Sequence, residues 1–237
     1  MDSSREARRM KPAENSLRWR TLLPRVVVTG VVLALWFWTQ SLLGARTAPA
    51  SGVGDTLHNL TASLNSYFAQ NPAAADTLLI VSSALIDALG LFLLGSWLFG
   101  GSVRPFLGLV LLMVLRQLLQ ALGSLPVPPG MIWHYPGFPS LLVTYHVAND
   151  FFFSGHTAIA VFGAIEITRF HRKWLTVSSI ALVCFEVAAV LILRAHYTMD
   201  VFTGILAALC VARLSERISP ALDRRLAGAD RFTPRSS

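Results

Sequence analysis

The sequence predicts an all-α, polytopic membrane protein with six transmembrane helices and both termini in the cytosol. Of its 237 residues, 54% are hydrophobic and only 14% are charged, which is far more apolar than a soluble domain of this size requires. Six apolar stretches are long enough for a hydrocarbon core of about 30 Å. Basic residues cluster before the first stretch and after the last, which is an orientation signal.

The predicted spans follow one another along the chain, separated by charged or Pro- and Gly-rich segments. The first apolar run is too long for a secretory signal peptide and lacks a convincing cleavage pattern, so we expect a retained helix. The fourth and sixth spans are the shortest of the set. The six spans lie near residues 26–44, 77–99, 103–122, 151–168, 174–193 and 199–214.

The distribution of the +7 formal charge predicts the topology. Seven of the 20 Lys and Arg residues precede the first span and six close or follow the last, so both ends belong in the cytosol. With six spans, Arg104 and the basic group at 169–173 also fall on the cytosolic side. The opposite side keeps Arg46 and Arg194.

This topology divides the chain into a basic cytosolic tail (1–25), a six-helix catalytic membrane domain (26–214) and a second basic cytosolic tail (215–237). We expect poorly ordered tails, with Pro220 ending the last helix. Within 45–76, an amphipathic stretch predicts a short interfacial helix on the non-cytosolic side.

The connection over 123–150 contains too many prolines and glycines for a long helix, and we expect a rigid cap. Four aromatic residues lie in it, on the same side of the membrane as His156 and His196. They form either an interfacial aromatic belt or a surface for a quaternary ammonium head group, which is attracted to aromatic faces. These aromatic residues are Trp133, Tyr135, Phe138 and Tyr145.

Two polar islands, at 151–157 and 194–200, place ionisable groups next to hydrocarbon. An aspartate near a helix centre costs roughly 2.5 kcal/mol or more, so such groups are retained mainly for chemistry or in wet cavities. His196 and Asp200 are four residues apart, so if the sixth helix begins at or before His196 they share one helix face, which lets the carboxylate fix the imidazole tautomer. We therefore expect His196 to be a nucleophile that forms a phospho-histidine. His156, on the same membrane face, is the expected general acid and then base.

Ser154 and Gly155 stand at the entrance of the helix that carries His156. Free backbone N–H groups and the positive end of the helix dipole favour a phosphate there, and glycine permits close approach. We expect the serine hydroxyl to contribute a further contact.

The Ser-Gly-His-Thr run at 154–157, followed by His-Tyr-Thr-Met-Asp at 196–200, resembles the lipid phosphatase and phosphotransferase superfamily. The resemblance is to the form carried by sphingomyelin synthases and plant phosphatidylcholine:diacylglycerol cholinephosphotransferases, because Arg116 and the Leu-Pro-Val-Pro run at 125–128 also match. It covers about residues 77–214. It implies six helices with cytosolic tails and a catalytic triad of His156, His196 and Asp200.

The departures from the phosphatase pattern favour a phosphodiester donor. Those enzymes carry Lys-x6-Arg-Pro and Ser-Arg-x5-His-x3-Asp, but here Trp97 precedes Arg104-Pro105 in place of the lysine, and 189–190 read Ala-Val. The arginine that clamps monoester oxygens is missing, although Arg194 is a partial substitute. A phosphodiester carries less charge and needs less clamping.

Further substrate-binding candidates are Arg116, Arg194, Asp150 and Tyr197. Asp150 is either a contact for a choline or ethanolamine cation or a helix cap. Arg116 either pairs with Asp87 or contacts the head group. His134 and His146 are taken as solvated loop residues.

The other ionisable residues and the two cysteines within the predicted spans suggest structural roles. Glu166 lies near the cytosolic end of its helix and is expected to snorkel, and no partner is evident for Glu186. Cys184 and Cys210 both fall in predicted spans, which leaves no disulfide scaffold or zinc site, and we expect buried, inert thiols.

The expected function is transfer of phosphocholine or a related head group from a phospholipid to diacylglycerol or ceramide, without metal or cofactor. A lipid phosphatase or phospholipase C-like hydrolase is the alternative, and a non-enzymatic lipid-binding protein is a third. No nucleic-acid partner is expected, and the sequence leaves the oligomeric state open. The site would face the lumen of the endoplasmic reticulum or the periplasmic side of a bacterial inner membrane.

Overall fold

The computed structural model describes residues 3–45, 53–145 and 152–229. Within these ranges every regular element is a helix, as the sequence predicts. The helices are α1 (Ser3–Gly44), α2 (Thr56–Leu60), α3 (Ala62–Gln70), α4 (Pro72–Phe99), α5 (Arg104–Leu122), α6 (Gly155–Thr168), α7 (Lys173–Ile192) and α8 (Thr198–Ala229).

Five of the described helices are long and apolar enough to cross a membrane. They correspond to the predicted first, second, third, fifth and sixth spans. The predicted fourth span corresponds to α6, whose 14 residues rise only about 21 Å, against a hydrocarbon core of about 30 Å. The candidate spans are Leu22–Leu42, Pro72–Phe99, Arg104–Leu122, Lys173–Ile192 and Thr198–Ala227.

Helix α6 forms the centre of the bundle and packs against α4, α5, α7 and α8. Its sequence is rich in alanine and glycine, which lets neighbouring backbones approach closely, as is typical of helix packing in membranes. Phe162 is fully buried at the middle of the helix, against α5. The first residue of α6 is Gly155, so the polar island at 151–157 lies at one end of the most enclosed helix.

Two glutamates within the bundle form hydrogen bonds with side chains of other helices. Glu166 is 4% exposed and accepts from Arg104 of α5 at 2.5 Å, so the expectation that it snorkels outward is wrong. Glu186 of α7 accepts from the Ser82 hydroxyl of α4 at 2.6 Å. A polar group inside the membrane is less costly when it is paired, and these contacts could not be assigned from local sequence.

Helix α8 does not stop at Pro220, which lies inside it. The prediction that this proline ends the helix is wrong. Proline removes one backbone hydrogen bond to the residue four positions earlier, and a long helix tolerates such a single loss. Because α1 begins at Ser3 and α8 reaches Ala229, helix also extends through most of both segments interpreted as tails. The division into tails and a membrane domain stays a prediction.

The cap contains no helix over 123–145, as predicted. Asp87 of α4 holds it, because its carboxylate accepts from the Ser140 hydroxyl at 2.9 Å and from the backbone N–H groups of Leu141 and Leu142 at 2.8 and 2.9 Å. The possible ion pair of Asp87 with Arg116 is therefore not formed. The short helix expected within 45–76 is present as α2 and α3.

Both cysteines are free and lie exposed on the outer surfaces of α7 and α8. The prediction that they are buried is wrong. Both helices carry apolar residues on their exposed faces, such as Ile180 and Leu206, as well as on their buried faces. Hydropathy alone therefore does not distinguish the face that packs against protein from the face that meets lipid.

Replacing Asp87 with alanine is expected to loosen the cap and lower the temperature of thermal unfolding in detergent. Three hydrogen bonds to a carboxylate are lost, each worth about 1.5–3 kcal/mol before relaxation. Asp87→Asn keeps one acceptor oxygen and should lose less. Equal unfolding temperatures for wild type and Asp87→Ala would show that the cap is held by other contacts.

Candidate active site

A buried cavity lies where α1, α4, α5 and the start of α6 meet the cap and the connection between α7 and α8. It encloses about 750 Å³ of empty space, including its open mouth. Most of its wall is apolar. The polar part of the wall is formed by Arg116, His156 and His196, with Gly155 beside them and Trp133 above.

The local fold at the start of α6 explains the position of His156. Ser154 is the N-cap of the helix, and its hydroxyl accepts from the Thr157 N–H at 3.3 Å and pairs with the Thr157 hydroxyl at 2.9 Å. Phe153, just before it, has a positive φ of 79°, an uncommon conformation for a bulky residue that reverses the chain into the helix. His156 then lies in the first turn, facing the cavity.

The cap packs against the His156 ring through Trp133. The two rings form a T-shaped pair with a centroid distance of 5.3 Å and an interplanar angle of 84°. Its Nε2 atom is buried and has no hydrogen-bond partner among the described residues. A buried nitrogen in that state is available to a substrate group that enters the cavity.

His196 and Asp200 come together at the start of α8, although the helix begins only at Thr198 and His196 precedes it. The shared helix face that their spacing would give is therefore not formed. His196 Nδ1 lies 3.9 Å from Asp200 Oδ2, which is longer than a hydrogen bond. The same Oδ2 atom accepts from the Tyr197 N–H at 2.8 Å, so the carboxylate also closes the first turn of the helix. Asp200 is fully buried behind the imidazole. Catalytic hydrogen bonds are often long without substrate and tighten in the reacting complex.

A backbone joint fixes the two polar islands relative to each other. The Ser154 N–H donates to the Asp200 carbonyl at 3.1 Å. One turn further along α8, a Cβ atom on Gly204 would lie only 2.8 Å from the Ser154 carbonyl oxygen. Glycine at 204 therefore permits the close contact that brings His156 and His196 to one cavity.

Arg116 of α5 places a cation beside the N-terminus of α6. A Cβ atom on Gly155 would lie 3.1 Å from Arg116 Nε, so the guanidinium packs directly over the glycine. Its Nη1 also donates to the side-chain oxygen of Gln40 on α1 at 2.9 Å. The cation and the helix N-terminus together favour an anion at this end of the cavity.

Three other predicted substrate-binding residues lie outside the cavity wall. The Ser154 hydroxyl is engaged in the helix cap, and Tyr197 is buried with its hydroxyl donating to the Pro126 carbonyl at 3.1 Å. Arg194 donates from Nη1 to the Pro129 carbonyl at 2.5 Å and from Nη2 to the His58 carbonyl at 3.2 Å. These three residues brace the site from behind, and their substrate contacts stay predictions.

Three other residues considered from the sequence lie away from the described cavity wall. Asp150 and His146 lie outside the described residues. His134 is an exposed loop residue, as expected, and it also pairs with Asp76 of α4 at 2.7 Å.

Sequence reasoning missed the contacts that α2 makes with the start of α8. Asp55 accepts from the Thr198 N–H at 2.6 Å and from the Thr198 hydroxyl at 2.7 Å, and it is also the N-cap of α2. His58 Nε2 lies 2.9 Å from the His196 carbonyl oxygen, and its ring stacks on Tyr197. Aspartate followed by a short helix is an N-cap signal, but nothing local indicates a partner more than a hundred residues away.

Asn65 of α3 extends this brace. Its side-chain amide donates to the Ile192 carbonyl at the end of α7 at 2.8 Å and to the Gly130 carbonyl of the cap at 3.1 Å. Gly130 has a φ of 75°, and a Cβ atom there would lie 2.8 Å from an Arg194 nitrogen. The segment from Asp55 to Asn65 is therefore a polar brace that holds the backbone on both sides of His196.

The charge state of Asp55 follows from the balance of burial and hydrogen bonds. Partial burial raises the pKa of this carboxyl, but hydrogen bonds from Thr198 and His58 outweigh that effect. The net pKa lies below the ordinary value of 3.8. The brace therefore rests on an ionised carboxylate at neutral pH.

No group of three or more His, Cys, Asp or Glu side chains in the described ranges is arranged to hold a metal ion. The expectation of a reaction without metal or cofactor stays a prediction.

The AtPDCT1/2 family model matches residues 54–217, which is more than half of the chain. The chain is 24% identical over 191 residues to phosphatidylcholine:diacylglycerol cholinephosphotransferase 1 of Arabidopsis thaliana, covering 81% of this chain and 61% of that protein. It therefore spans about three fifths of that relative's length. No solved structure matches.

The brace should make stability depend on pH through Asp55. Because its folded pKa is depressed, its contribution is present above the ordinary carboxyl value of 3.8 and is lost as the pH falls through the folded pKa. The difference in unfolding temperature between wild type and Asp55→Asn should be constant between about pH 5 and 8 and should shrink in more acidic solution.

Asp76→Asn is the matched control, because its carboxylate is 40% exposed and lies outside the brace. A wild-type advantage over Asp55→Asn that persists unchanged at pH 3 and below would contradict the assignment.

Proposed function

Since the chain belongs to the AtPDCT1/2 family, we propose that it is a membrane phosphotransferase that moves phosphocholine from phosphatidylcholine to diacylglycerol. The single observation that supports this most is the convergence of His156, His196 and Arg116 on one buried cavity, with Asp200 enclosed behind His196. The substrates are taken from the name of the plant relative. The acceptor ceramide rests on the sequence resemblance alone.

In the first half-reaction, His196 attacks the phosphorus of the donor lipid. Its Nδ1 faces Asp200, which leaves Nε2 as the nucleophile, and the carboxylate stabilises the positive charge that develops on the ring. A bond forms between Nε2 and phosphorus while the bond from phosphorus to the diacylglycerol oxygen breaks. His156, in its protonated form, gives its proton to that departing oxygen.

In the second half-reaction, a new diacylglycerol molecule supplies a hydroxyl group. Neutral His156 removes its proton, and the oxygen attacks phosphorus of the phospho-histidine. The bond between phosphorus and Nε2 breaks, which returns His196 to its neutral form and His156 to its protonated form. The cycle is ping-pong and balances without any further reactant.

Arg116 and the start of α6 stabilise the phosphate oxygens through both steps. The N–H groups of Gly155 and His156 precede the first intrahelical hydrogen bond, and the guanidinium lies directly over the glycine. A phosphodiester carries one negative charge, which one cation and a helix N-terminus offset. This arrangement fits a diester donor better than a monoester.

The aromatic side of the cap supplies a place for the choline cation. Trp133 lines the cavity, packs against Tyr145 at a centroid distance of 5.2 Å, and is fixed by a hydrogen bond from its ring nitrogen to the Thr144 carbonyl at 3.0 Å. A quaternary ammonium over such a face gains about 0.5–2 kcal/mol. Of the two interpretations of the cap, this position favours the head-group surface for Trp133.

The finer topology is also part of the proposal: six spans, cytosolic termini, and an active site on the exoplasmic face of the endoplasmic reticulum or of a bacterial inner membrane. The ion pair of Arg104 with Glu166 lies towards the end of α6 opposite to His156, which supports a basic, cytosolic side away from the site. In this arrangement α6 is a short span surrounded by the other helices.

The test is transfer of head-group label from phosphatidylcholine in reconstituted vesicles, with and without diacylglycerol. Wild type should place label in a new lipid only when acceptor is present. His196→Ala and His156→Ala should each lower the transfer rate about a thousandfold or more, because each removes a reacting group. His134→Ala is the matched control and should keep the wild-type rate.

Undiminished transfer by His196→Ala would contradict the nucleophile assignment. Water-soluble phosphocholine released at the same rate without acceptor would instead identify a hydrolase.

A further inference from the structure

A second cavity lies in the outer wall of the bundle, between α1 and α5. It contains about 1010 Å³ of empty space, including the part open to the surroundings. Leu35, Val114 and Leu118 line it and are 53%, 50% and 56% exposed, so this groove opens towards the hydrocarbon of the membrane. Apart from Thr39 and Gln117, its lining is apolar.

The groove adjoins the candidate active site. Trp36 of α1 and Met113 of α5 line both cavities. Trp36 is only 8% exposed, and its side chain stands between the open groove and the polar wall that carries His156. A molecule in the groove is therefore separated from the reacting groups by side chains alone.

The polar residues of the groove lie beside the catalytic cavity. Gln40 accepts from Arg116 at 2.9 Å and from the Gln117 amide at 3.2 Å, which bridges α1 and α5. Apolar residues line the groove on both sides of Gln117, from Val32 and Val110 at one end to Leu42 and Ala121 at the other. A cation and amides beside a long apolar wall match a glycerophospholipid, with its phosphate at Arg116, its esters at the amides and an acyl chain along the groove.

The length of the groove agrees with one leaflet of a bilayer. Its α1 wall runs from Val32 to Leu42, a helical rise of about 15 Å, which is half of a hydrocarbon core of about 30 Å. An acyl chain from a lipid whose head group reaches His156 would therefore end near the middle of the membrane.

Resting on the proposed function, we propose that this groove binds one acyl chain of the phosphatidylcholine donor and guides its phosphate to the cavity. The donor is favoured over diacylglycerol because Arg116, one turn along α5 from the shared residue Met113, lines the catalytic cavity and complements an anionic phosphate, whereas diacylglycerol is uncharged. Trp36 is then a positioning residue at the junction.

Filling the groove tests this assignment. Val114→Trp should reduce kcat/KM for a dipalmitoyl donor about tenfold more than for a dihexanoyl donor, because a lost apolar contact in a binding pocket is worth roughly tenfold or more. Val177→Trp, on the exposed face of α7, is the matched control and should leave the ratio between the two donors unchanged. The acceptor diacylglycerol is the same in these assays, and a second series varies its chain length with the dipalmitoyl donor kept constant.

If the ratio of kcat/KM between the dipalmitoyl and dihexanoyl donors were the same for Val114→Trp and Val177→Trp, the proposal would be overturned. The groove would then hold only bulk lipid. If the effect of Val114→Trp on kcat/KM depended on the chain length of diacylglycerol and not on that of the donor, the groove would bind the acceptor, and the proposal would be overturned.

Photo-crosslinking separates this proposal from the proposed function and does not depend on the variant folding. Phosphatidylcholine with a diazirine on its acyl chain should label wild-type peptides from 110–121 in a manner that excess unlabelled phosphatidylcholine displaces. Labelling that is not displaced would overturn the groove assignment. If the wild-type protein showed displaceable labelling but no head-group transfer, the proposed transferase function would be rejected, while the proposed binding site in the groove would stand.

Discussion

The hydrogen bond from the Ser154 N–H to the Asp200 carbonyl is the contact on which the site depends. It joins the N-cap of the central helix, two residues before His156, to the first turn of α8, which begins two residues after His196. The glycine at 204 makes the approach possible, because any side chain there would meet the Ser154 carbonyl. Backbone contacts of this kind are stiffer than side-chain contacts, so the relative position of the two histidines is set by the fold itself.

The buried helix α6 needs this joint because it is short and has no free face. Its neighbours α4, α5, α7 and α8 enclose it, and its polar end would be costly in hydrocarbon without partners. Ser154 and Thr157 satisfy each other there, while Arg116 lies over Gly155. The groups left available face the cavity, which is where a phosphate would use them.

The second support comes from outside the bundle. Asp55 and His58 hold the backbone at Thr198 and His196, and Asn65 holds the end of α7. Because these contacts are made to backbone atoms, they fix the turn without occupying the imidazole. Arg194 belongs to the same brace, because its guanidinium donates to the Pro129 carbonyl of the cap and to the His58 carbonyl of α2.

The sequence by itself determined the helical class, the position of the apolar helices and the cap, and the spacing of His196 with Asp200. Hydropathy, proline content and the separation of two residues along the chain are local properties. It also carried the motifs by which the family is recognised. Only the tertiary structure decided that Asp87 holds the cap, that Glu186 meets Ser82, that Asp55 reaches Thr198, and that Cys184 and Cys210 face outward. Each of these depends on which face of a helix meets which neighbour, and a helix that is apolar all round gives no sign of that in its sequence.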